Sequence, residues 1–372
     1  MKKEKCQNLK LRISRKTEKR NFIYTFLFFP TFIFCLLPFA FFQVKAQTEI
    51  PQVLPSETSD TSLPQAWKNV QLIRTLKGHS TTVESLAFSP DGTILISGGS
   101  DNEGRIRFWW LKTGRQVSSL RAHRRAVLAL KFSPDGETLT SSSNDSSLNF
   151  WNWKTGKYTR TFLDHTSNIL STAITPDNEI LVTGALDGIR AWNLKTQRPI
   201  YTLVRFDNQT YAVAASSQGD ILASGGRDPV IKLWNIKTGS SIGSIPGHSG
   251  AISTLAFDPR GNILVSGSYD RTIKVWNLIT GRSLYTLSGH TGLIRAIAIH
   301  PSGEMLASAS RDGVRLWNLR TGELIALLVG HSDWVNSVAF SPNGSTLATG
   351  GFDRTIKIWQ VPGTQTDTQV GK

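Results

Sequence analysis

Short segments in which apolar and polar residues alternate recur through most of the chain, and turns containing Gly, Pro, Asp or Asn separate them. Alternation with period two over four to eight residues is typical of β-strands with one buried face. In the turns, Pro fixes φ and Gly tolerates a positive φ. The best-defined unit begins after the Gly-His pair at 247–248 and contains four predicted strands, at residues 251–257, 263–268, 272–276 and 283–287.

This four-strand unit recurs seven times. Tryptophan, aspartate and histidine all follow the same period, and successive repeat tryptophans are 41 or 42 residues apart. A period of this length indicates stacked or radially arranged supersecondary units. Four short antiparallel strands in each of seven units predict an all-β fold, a seven-bladed β-propeller. The repeat tryptophans are Trp109, Trp151, Trp192, Trp234, Trp276, Trp317 and Trp359.

The two ends of the repeat array predict how the ring closes. Residues 70–76 match the fourth strand of a repeat, although they precede the first Gly-His pair, and the last repeat stops with its third strand at Trp359. We therefore expect residues 70–76 to pair beside residues 356–359 and to complete the seventh blade. Closure of this kind removes two open sheet edges.

Three features of each unit resemble the WD-repeat propeller family: the Gly-His opening, the Ser-x-x-x-Asp turn and the Trp that ends a strand such as Ile-Lys-Val. The resemblance covers about residues 70–361, in seven copies that stay in phase. One departure is uniform, because the residue after the repeat Trp is never Asp. The chain has Trp110, Asn152, Asn193, Asn235, Asn277, Asn318 and Gln360 at these positions.

The resemblance implies that His, Ser or Thr, Asp and Trp form a hydrogen-bonded structural network within each blade. Such a network satisfies buried polar groups. The fourth repeat lacks the His. The implied network residues are His79, Ser97, Asp101 and Trp109; His123, Ser141, Asp145 and Trp151; His165, Thr183, Asp187 and Trp192; Ser224, Asp228 and Trp234; His248, Ser266, Asp270 and Trp276; His290, Ser308, Asp312 and Trp317; and His331, Thr349, Asp353 and Trp359.

The combination of His, Ser and Asp also raises the hypothesis of a hydrolytic triad. An active site occurs once, whereas this set recurs six times in phase with the repeat, and Thr183 and Thr349 replace Ser in two copies. Both cysteines, Cys6 and Cys35, precede the repeats, and the sequence contains no Gly-rich phosphate loop or clustered metal ligands. We therefore predict a protein that is not an enzyme, with no catalytic, cofactor-binding or metal-binding residues and no cofactor.

Net charge changes this picture only at the N-terminus. The formal charge of +15 suggests nucleic-acid binding. However, residues 1–46 carry +8 of it, and the remaining 326 residues carry +7. A basic head, the mostly apolar residues 22–42 and a possible cleavage point after Ala46 predict a secretory signal peptide or, alternatively, an uncleaved membrane anchor. We therefore expect no nucleic-acid partner.

Both alternatives predict that the propeller is exported to a periplasmic, lumenal or extracellular compartment, either free after cleavage near Ala46 or anchored by residues 22–42. Residues 47–69 are rich in Pro, Ser and Thr and predict a linker. The propeller is then residues 70–361, and residues 362–372 are a flexible tail. We expect the propeller to be monomeric.

Since the repeated polar residues are used for structure, the loops remain as the candidate functional surface. In WD-repeat proteins, partners usually dock on the face that carries the Gly-His loops and the residues before the repeat Asp. Tyr, Trp and Arg contribute most to interface energies. A protein-binding surface is therefore predicted at Arg227, Tyr269, Arg311, Trp334 and Phe352.

Two alternatives stay open. Trp334 and Phe352 could pack on each other or on neighbouring loops rather than contact a partner. The whole protein could instead be an exported enzyme or a small-ligand binder that uses the central channel of the ring. The sequence favours a non-catalytic interaction scaffold, because no unique set of acids, bases or metal ligands remains outside the repeats.

Overall fold

The computed structural model describes residues 62–203 and 209–362, which form seven four-stranded antiparallel sheets preceded by a short helical segment. The helical segment is α1 (Ser62–Ala66) followed by a 3-10 turn at Trp67–Asn69. Blade 1 is β2 (Val83–Phe88), β3 (Ile94–Gly99), β4 (Arg105–Trp110) and β5 (Arg115–Arg121); blade 2 is β6 (Val127–Phe132), β7 (Thr138–Ser143), β8 (Leu148–Asn152) and β9 (Lys157–Phe162); blade 3 is β10 (Ile169–Ile174), β11 (Ile180–Ala185), β12 (Gly188–Asn193) and β13 (Arg198–Leu203).

The remaining strands continue the same order. Blade 4 is β14 (Thr210–Ala215), β15 (Ile221–Gly226), β16 (Val230–Asn235) and β17 (Ser241–Pro246); blade 5 is β18 (Ile252–Phe257), β19 (Ile263–Ser268), β20 (Ile273–Asn277) and β21 (Arg282–Leu287); blade 6 is β22 (Ala296–Ile299), β23 (Met305–Ser310), β24 (Gly313–Asn318) and β25 (Leu324–Leu328); blade 7 is β26 (Val335–Phe340), β27 (Thr346–Gly351), β28 (Thr355–Gln360) and β1 (Gln71–Lys77). The predicted all-β, seven-bladed propeller is confirmed.

The first strands of neighbouring blades contact each other around a closed ring. β2 contacts β6 on one side and β26 on the other, and the contacts continue through β10, β14, β18 and β22. The first strand of every blade is therefore innermost and the fourth is outermost. The ring therefore has two ends. The upper face is the end that carries the loops between blades and the turns between second and third strands, and the lower face is the opposite end.

The predicted closure by the N-terminal strand is also confirmed. β1 pairs antiparallel with β28, so that Leu72 lies opposite Trp359 and Leu76 lies opposite Ile356. Leu76 is 3% exposed and packs in a cluster shared by blades 7 and 1. The outermost strand of the last blade thus comes from the beginning of the domain, and one sheet joins residues almost 290 positions apart.

The hydrophobic core lies between neighbouring blades rather than inside a single blade. Trp234 of blade 4 packs in one buried cluster with Val182 and Ala191 of blade 3. Trp276 of blade 5 packs in the same way with Ala223 and Ile231 of blade 4. The repeat tryptophan therefore fills the space between two sheets, which explains its fixed period in the sequence.

The lower turns follow the chemistry that the sequence predicts. In the turn Asp258-Pro259-Arg260-Gly261, Gly261 has a φ of +79°, a conformation that favours glycine. The Asp258 carboxylate accepts hydrogen bonds from the backbone N–H of Arg260 at 3.2 Å and of Ile263 at 2.7 Å. This local bonding sets the angle at which the second strand leaves the turn.

The beginning of the domain differs from the sequence prediction. Residues 62–69, assigned to the linker, form α1 and the 3-10 turn, and Trp67 is 2% exposed. The Trp67 ring lies 5.5 Å from the Phe340 ring and 6.3 Å from the His300 ring, measured between centroids. Burial of this large side chain against the lower face of blades 6 and 7 holds the segment on the propeller.

The leader, the rest of the linker and almost all of the predicted tail lie outside the described residues. This includes the predicted signal or anchor segment at 22–42. Within residues 62–203 and 209–362, no helix combines the length and apolar character needed to cross a membrane.

Substitution of Leu76 by Ala should test whether β1 stabilises the ring. We expect the free energy of unfolding to fall by about 2–4 kcal/mol, because the change leaves a cavity in the closing blade. Ile73→Ala on the same strand is the control, since Ile73 is 48% exposed and its loss should change stability by about 0.5 kcal/mol or less. Urea denaturation of the two variants measures both effects. Equal stability of the Leu76 variant and the wild type would show that β1 does not close the ring.

Candidate functional site

A chain of hydrogen bonds crosses most blades near the upper face, and blade 5 shows it completely. Trp276 Nε1 donates to Ser266 Oγ at 2.9 Å, and Ser266 Oγ lies 2.7 Å from His248 Nε2. His248 Nδ1 lies 2.8 Å from Asp270 Oδ2. Indole N–H is only a donor, so the Ser266 oxygen accepts from it and its hydroxyl proton is directed to His248 Nε2. The imidazole proton then resides on Nδ1 and is donated to the Asp270 carboxylate.

The same bonds recur around the ring. In all six blades that carry the repeat His, its Nε2 lies 2.6–2.8 Å from the hydroxyl oxygen of the second strand. The Trp Nε1–H also donates to this oxygen in six blades, at 2.8–3.0 Å. The His Nδ1–carboxylate pairs are His79–Glu103, His123–Asp145, His165–Asp187, His248–Asp270, His290–Asp312 and His331–Asp353.

Burial and hydrogen bonding fix the charges of this chain. Burial lowers the pKa of His248 below its usual value, and the Asp270 carboxylate offsets this only in part. Burial alone would raise the pKa of Asp270, but hydrogen bonds from Thr272, from the Ser249 backbone and from His248 lower it to about 2. At neutral pH the chain therefore contains a carboxylate and a neutral imidazole, which is a stable arrangement without any ligand.

This geometry does not provide a nucleophile. Ser266 is fully buried, its oxygen accepts the indole proton, and its own proton is bound by His248. A substrate carbonyl cannot approach a hydroxyl group that is enclosed between two sheets. The chain holds the interblade loop, the second strand, the third strand and the upper turn in fixed positions relative to one another.

Blade 1 corrects the sequence prediction for one residue. His79 Nδ1 bonds to Glu103 Oε2 at 2.9 Å, and not to Asp101. Glu103 also pairs with Arg107 and its side chain is 2% exposed. Asp101 is instead exposed and accepts hydrogen bonds from the Ala126 backbone at 2.9 Å and from Asn144 at 3.1 Å. The physical reason is the longer turn of this blade, which places Glu103 six residues before Trp109, as Asp270 is before Trp276.

Blades 3 and 4 depart from the full chain. In blade 3, Trp192 Nε1 is buried without a hydrogen-bond partner among the described residues, and the Trp192 ring stacks on Phe162 at 4.6 Å. In blade 4, Trp234 donates to Ser224 at 2.8 Å, and Asp228 lies 3.3 Å from the Lys232 ammonium. The repeat position of the missing His falls within residues 204–208, which lie outside the described part of the chain.

A further network position escaped the sequence argument. The residue two before each repeat Trp lies directly opposite the Ser or Thr of the second strand. Arg190 and Arg315 at this position bond to the carboxylates of Asp187 at 3.0 Å and Asp312 at 2.7 Å. The constant spacing of this position, two residues before the repeat Trp, is enough to identify it in the sequence. The seven residues are Arg107, Asn149, Arg190, Lys232, Lys274, Arg315 and Lys357.

The upper loops bring the predicted partner-binding residues to one face. The backbone N–H of Tyr269 donates to the Ala251 carbonyl at 2.8 Å, and that of Phe352 donates to the Trp334 carbonyl at 2.8 Å. The upper turns of blades 5 and 7 are thus bonded to the interblade loops beside them. Among the five predicted residues, Arg227, Tyr269 and Arg311 are exposed, whereas Trp334 and Phe352 are half-buried.

Trp334 and Phe352 contact an arginine that was not predicted from the sequence. The Arg295 guanidinium carbon lies 5.2 Å from the Trp334 ring centroid and 5.6 Å from the Phe352 centroid. Both distances are within the range of cation–π attraction. Arg295 belongs to the segment before β22 in blade 6, whereas both rings belong to blade 7. Both aromatic residues thus contact a neighbouring element through Arg295, and their role in partner binding stays a prediction.

A second aromatic pair lies on blades 4 and 5. The Tyr211 and Tyr269 ring centroids are 6.1 Å apart, and Tyr211 donates a hydrogen bond to Gln209 at 3.0 Å. Burial raises the pKa of Tyr211, as does the nearby Tyr269, whereas the charge of Arg227 acts in the opposite direction. Arg227 and Tyr269 therefore lie in one neighbourhood with Tyr211, which makes Tyr211 an additional member of the surface.

Positive charge predominates among the exposed side chains of the upper loops. The carboxylates of the repeat network are bonded to His in six blades, and in blade 4 Asp228 is paired with Lys232. The exposed acids of the described upper loops are Asp101, Asp164 and Asp333. The arginines that form ion pairs in the described part of the chain are Arg107, Arg190, Arg315 and Arg320, and none of them is an exposed arginine of the upper loops. The exposed upper-loop arginines are Arg124, Arg125, Arg227, Arg271, Arg311 and Arg354.

Within residues 62–203 and 209–362, no group of three or more His, Cys, Asp or Glu side chains is arranged to hold a metal ion.

Replacement of Glu103 by Ala tests the corrected network. We expect a loss of about 2–4 kcal/mol in the free energy of unfolding, because His79 and Arg107 lose their buried acceptor. Asp101→Ala in the same turn is the matched control and should cost about 1 kcal/mol or less, since Asp101 is exposed. Chemical denaturation compares the two variants. A larger loss for Asp101→Ala than for Glu103→Ala would contradict this assignment.

Comparison with known families agrees with the geometry. The family model "WD domain, G-beta repeat" (WD40) matches seven segments of the chain, at residues 70–109, 114–152, 156–189, 197–235, 239–277, 281–318 and 322–360. The first match includes β1, the strand that closes blade 7, and each match ends at or near the third strand of a blade. Together the matches span well over half of the sequence, and the chain therefore belongs to the WD40 repeat family.

Proposed function

We propose that this protein is a non-catalytic interaction scaffold that binds an acidic segment of a partner protein on the upper face. WD40 propellers typically act as protein-interaction scaffolds. The observation that carries the proposal is the exposure of Arg227, Tyr269 and Arg311 on adjacent blades, beside an excess of positive charge. Arg and Tyr in such a position are the side chains that most often dominate interface energies.

The chemistry of the surface supports an acidic partner. Arginine binds carboxylates through two parallel N–H donors, and a surface of one charge accelerates the approach of an opposite one. Tyr211 and Tyr269 add flat apolar area between Arg227 and Arg311. A segment with Asp or Glu residues near an aromatic or aliphatic side chain would match both features.

Arg295 lies beside the same surface, in the segment before β22. Trp334 and Phe352 fix its guanidinium group, and its Nε is buried without a hydrogen-bond partner among the described residues. An arginine held in one orientation loses little conformational entropy when it binds. The two aromatics therefore contribute to binding by positioning Arg295, and direct contact with the partner is secondary.

We also propose that the scaffold works in an exported compartment, either free or tethered to a membrane. The support is the basic and apolar leader at residues 1–46. The monomeric propeller of the sequence prediction is part of this proposal, and its support is that β1 of the same chain supplies the fourth strand of the last blade.

Reversal of charge at two positions tests the binding surface. The double variant Arg227→Glu and Arg311→Glu should lose at least tenfold in affinity for an Asp- and Glu-rich peptide, measured by fluorescence anisotropy with the full-length protein. Arg282→Glu is the matched control. Arg282 is equally exposed but begins β21 at the lower face, so this variant should bind as the wild type does.

The same variants used as bait in affinity purification identify the natural partner. We expect proteins that co-purify with the wild type and with Arg282→Glu to be absent with the double variant. Retention of the same partners by the double variant, with unchanged peptide affinity, would contradict the proposal.

A further inference from the structure

The inner strands of the seven blades have one equivalent position where six alanines and one lysine occur. The register with the second strand identifies it, because the residue lies opposite the position next to the network Ser or Thr. Blade 2 has Lys131 there, opposite Thr140. The other six blades have Ala87, Ala173, Ala214, Ala256, Ala298 and Ala339.

This ring of residues lines the central channel. A cavity of about 620 Å³ is bordered by the inner strands of all seven blades, including each of the six alanines and Lys131. At the following position the wall has Phe88, Phe132, Phe257 and Phe340. A volume of this size is typical of sites that hold small molecules.

Lys131 is the one charged side chain among the residues that line this cavity. Lys131 is exposed, and desolvation by the protein that surrounds the channel lowers the pKa of its amine. Lys232 is the lysine that forms an ion pair in the described part of the chain. Within the same part, the Lys131 amine has neither a carboxylate partner nor a hydrogen bond.

The fold itself does not require this lysine. Six blades form the same strand with Ala at the equivalent position, so neither the strand nor its packing needs an amine there. A function that needs an amine in the channel explains its presence better than packing does.

We propose that the central channel binds a small monocarboxylate with an apolar body, and that Lys131 is the cation that pairs with its carboxylate. One lysine neutralises one negative charge, so that a dianion would retain one charge without a cationic partner. The alanine ring leaves room for the ligand, and the phenylalanine side chains contact its apolar part. This site lies inside the ring and does not depend on the partner-binding loops.

Titration calorimetry of the full-length protein with hexanoate tests the proposal. The wild type should bind hexanoate, and Lys131→Ala should weaken the affinity about tenfold or more. Lys131→Ala introduces the residue that the other six blades already have, so it should fold, and circular dichroism checks this. Lys131→Met, which keeps most of the side-chain volume, separates loss of charge from loss of bulk and should bind as weakly.

Two controls complete the experiment. Lys157→Ala removes an exposed lysine outside the channel and should leave hexanoate affinity unchanged. Hexan-1-ol has the same apolar body without the charge and should bind at least tenfold more weakly than hexanoate to the wild type. Absence of hexanoate binding to the wild type, equal binding to Lys131→Ala, or equal binding of hexan-1-ol would each overturn the proposal.

Discussion

The structure depends on a buried chain of hydrogen bonds that runs from Trp to Ser or Thr, then to His and to a carboxylate. The Trp and the Ser or Thr are buried, and the side chains of the His and of its carboxylate are 0–3% and 2–17% exposed. A buried polar group without a partner costs about 1–3 kcal/mol. The chain joins four parts of a blade that are far apart in sequence, as His248 and Trp276 show. Because these groups satisfy one another in the blades that have the full set, we propose that binding uses residues that do not repeat.

The residues that do not repeat lie on two surfaces of the propeller. On the upper face, exposed arginines and tyrosines differ from blade to blade, and Arg295 is fixed between two rings of the next blade. Inside the ring, Lys131 interrupts a set of alanines. In both places the strands and turns of the blades stay the same, and a single different side chain gives the surface its charge. A protein with seven equivalent blades can in this way carry distinct sites without altering its fold.

The sequence was sufficient for most of the fold, because period-two alternation and a Trp every 41 or 42 residues report directly on strands and on interblade packing. It also predicted β1 as the closing strand. It was not sufficient for Glu103, since counting from His79 selects Asp101, while counting back from Trp109 selects Glu103. Only the three-dimensional path of the longer turn decides between them. Arg295 was missed because its contacts with Trp334 and Phe352 cross from one blade to the next. Residues 62–69 were assigned to a linker on composition, although burial of Trp67 outweighs their Pro and Ser content.

Blade 4 offers the most direct measurement of the central claim, because it keeps Ser224 and Trp234 but the sequence provides no histidine at the repeat position. Native-state hydrogen exchange can compare the amides of β15 and β16 with the matching amides of β19 and β20 in blade 5. If the hydrogen-bond chain holds the blades together, amides in blade 4 exchange faster than their counterparts in blade 5. Equal protection in the two blades would contradict the account.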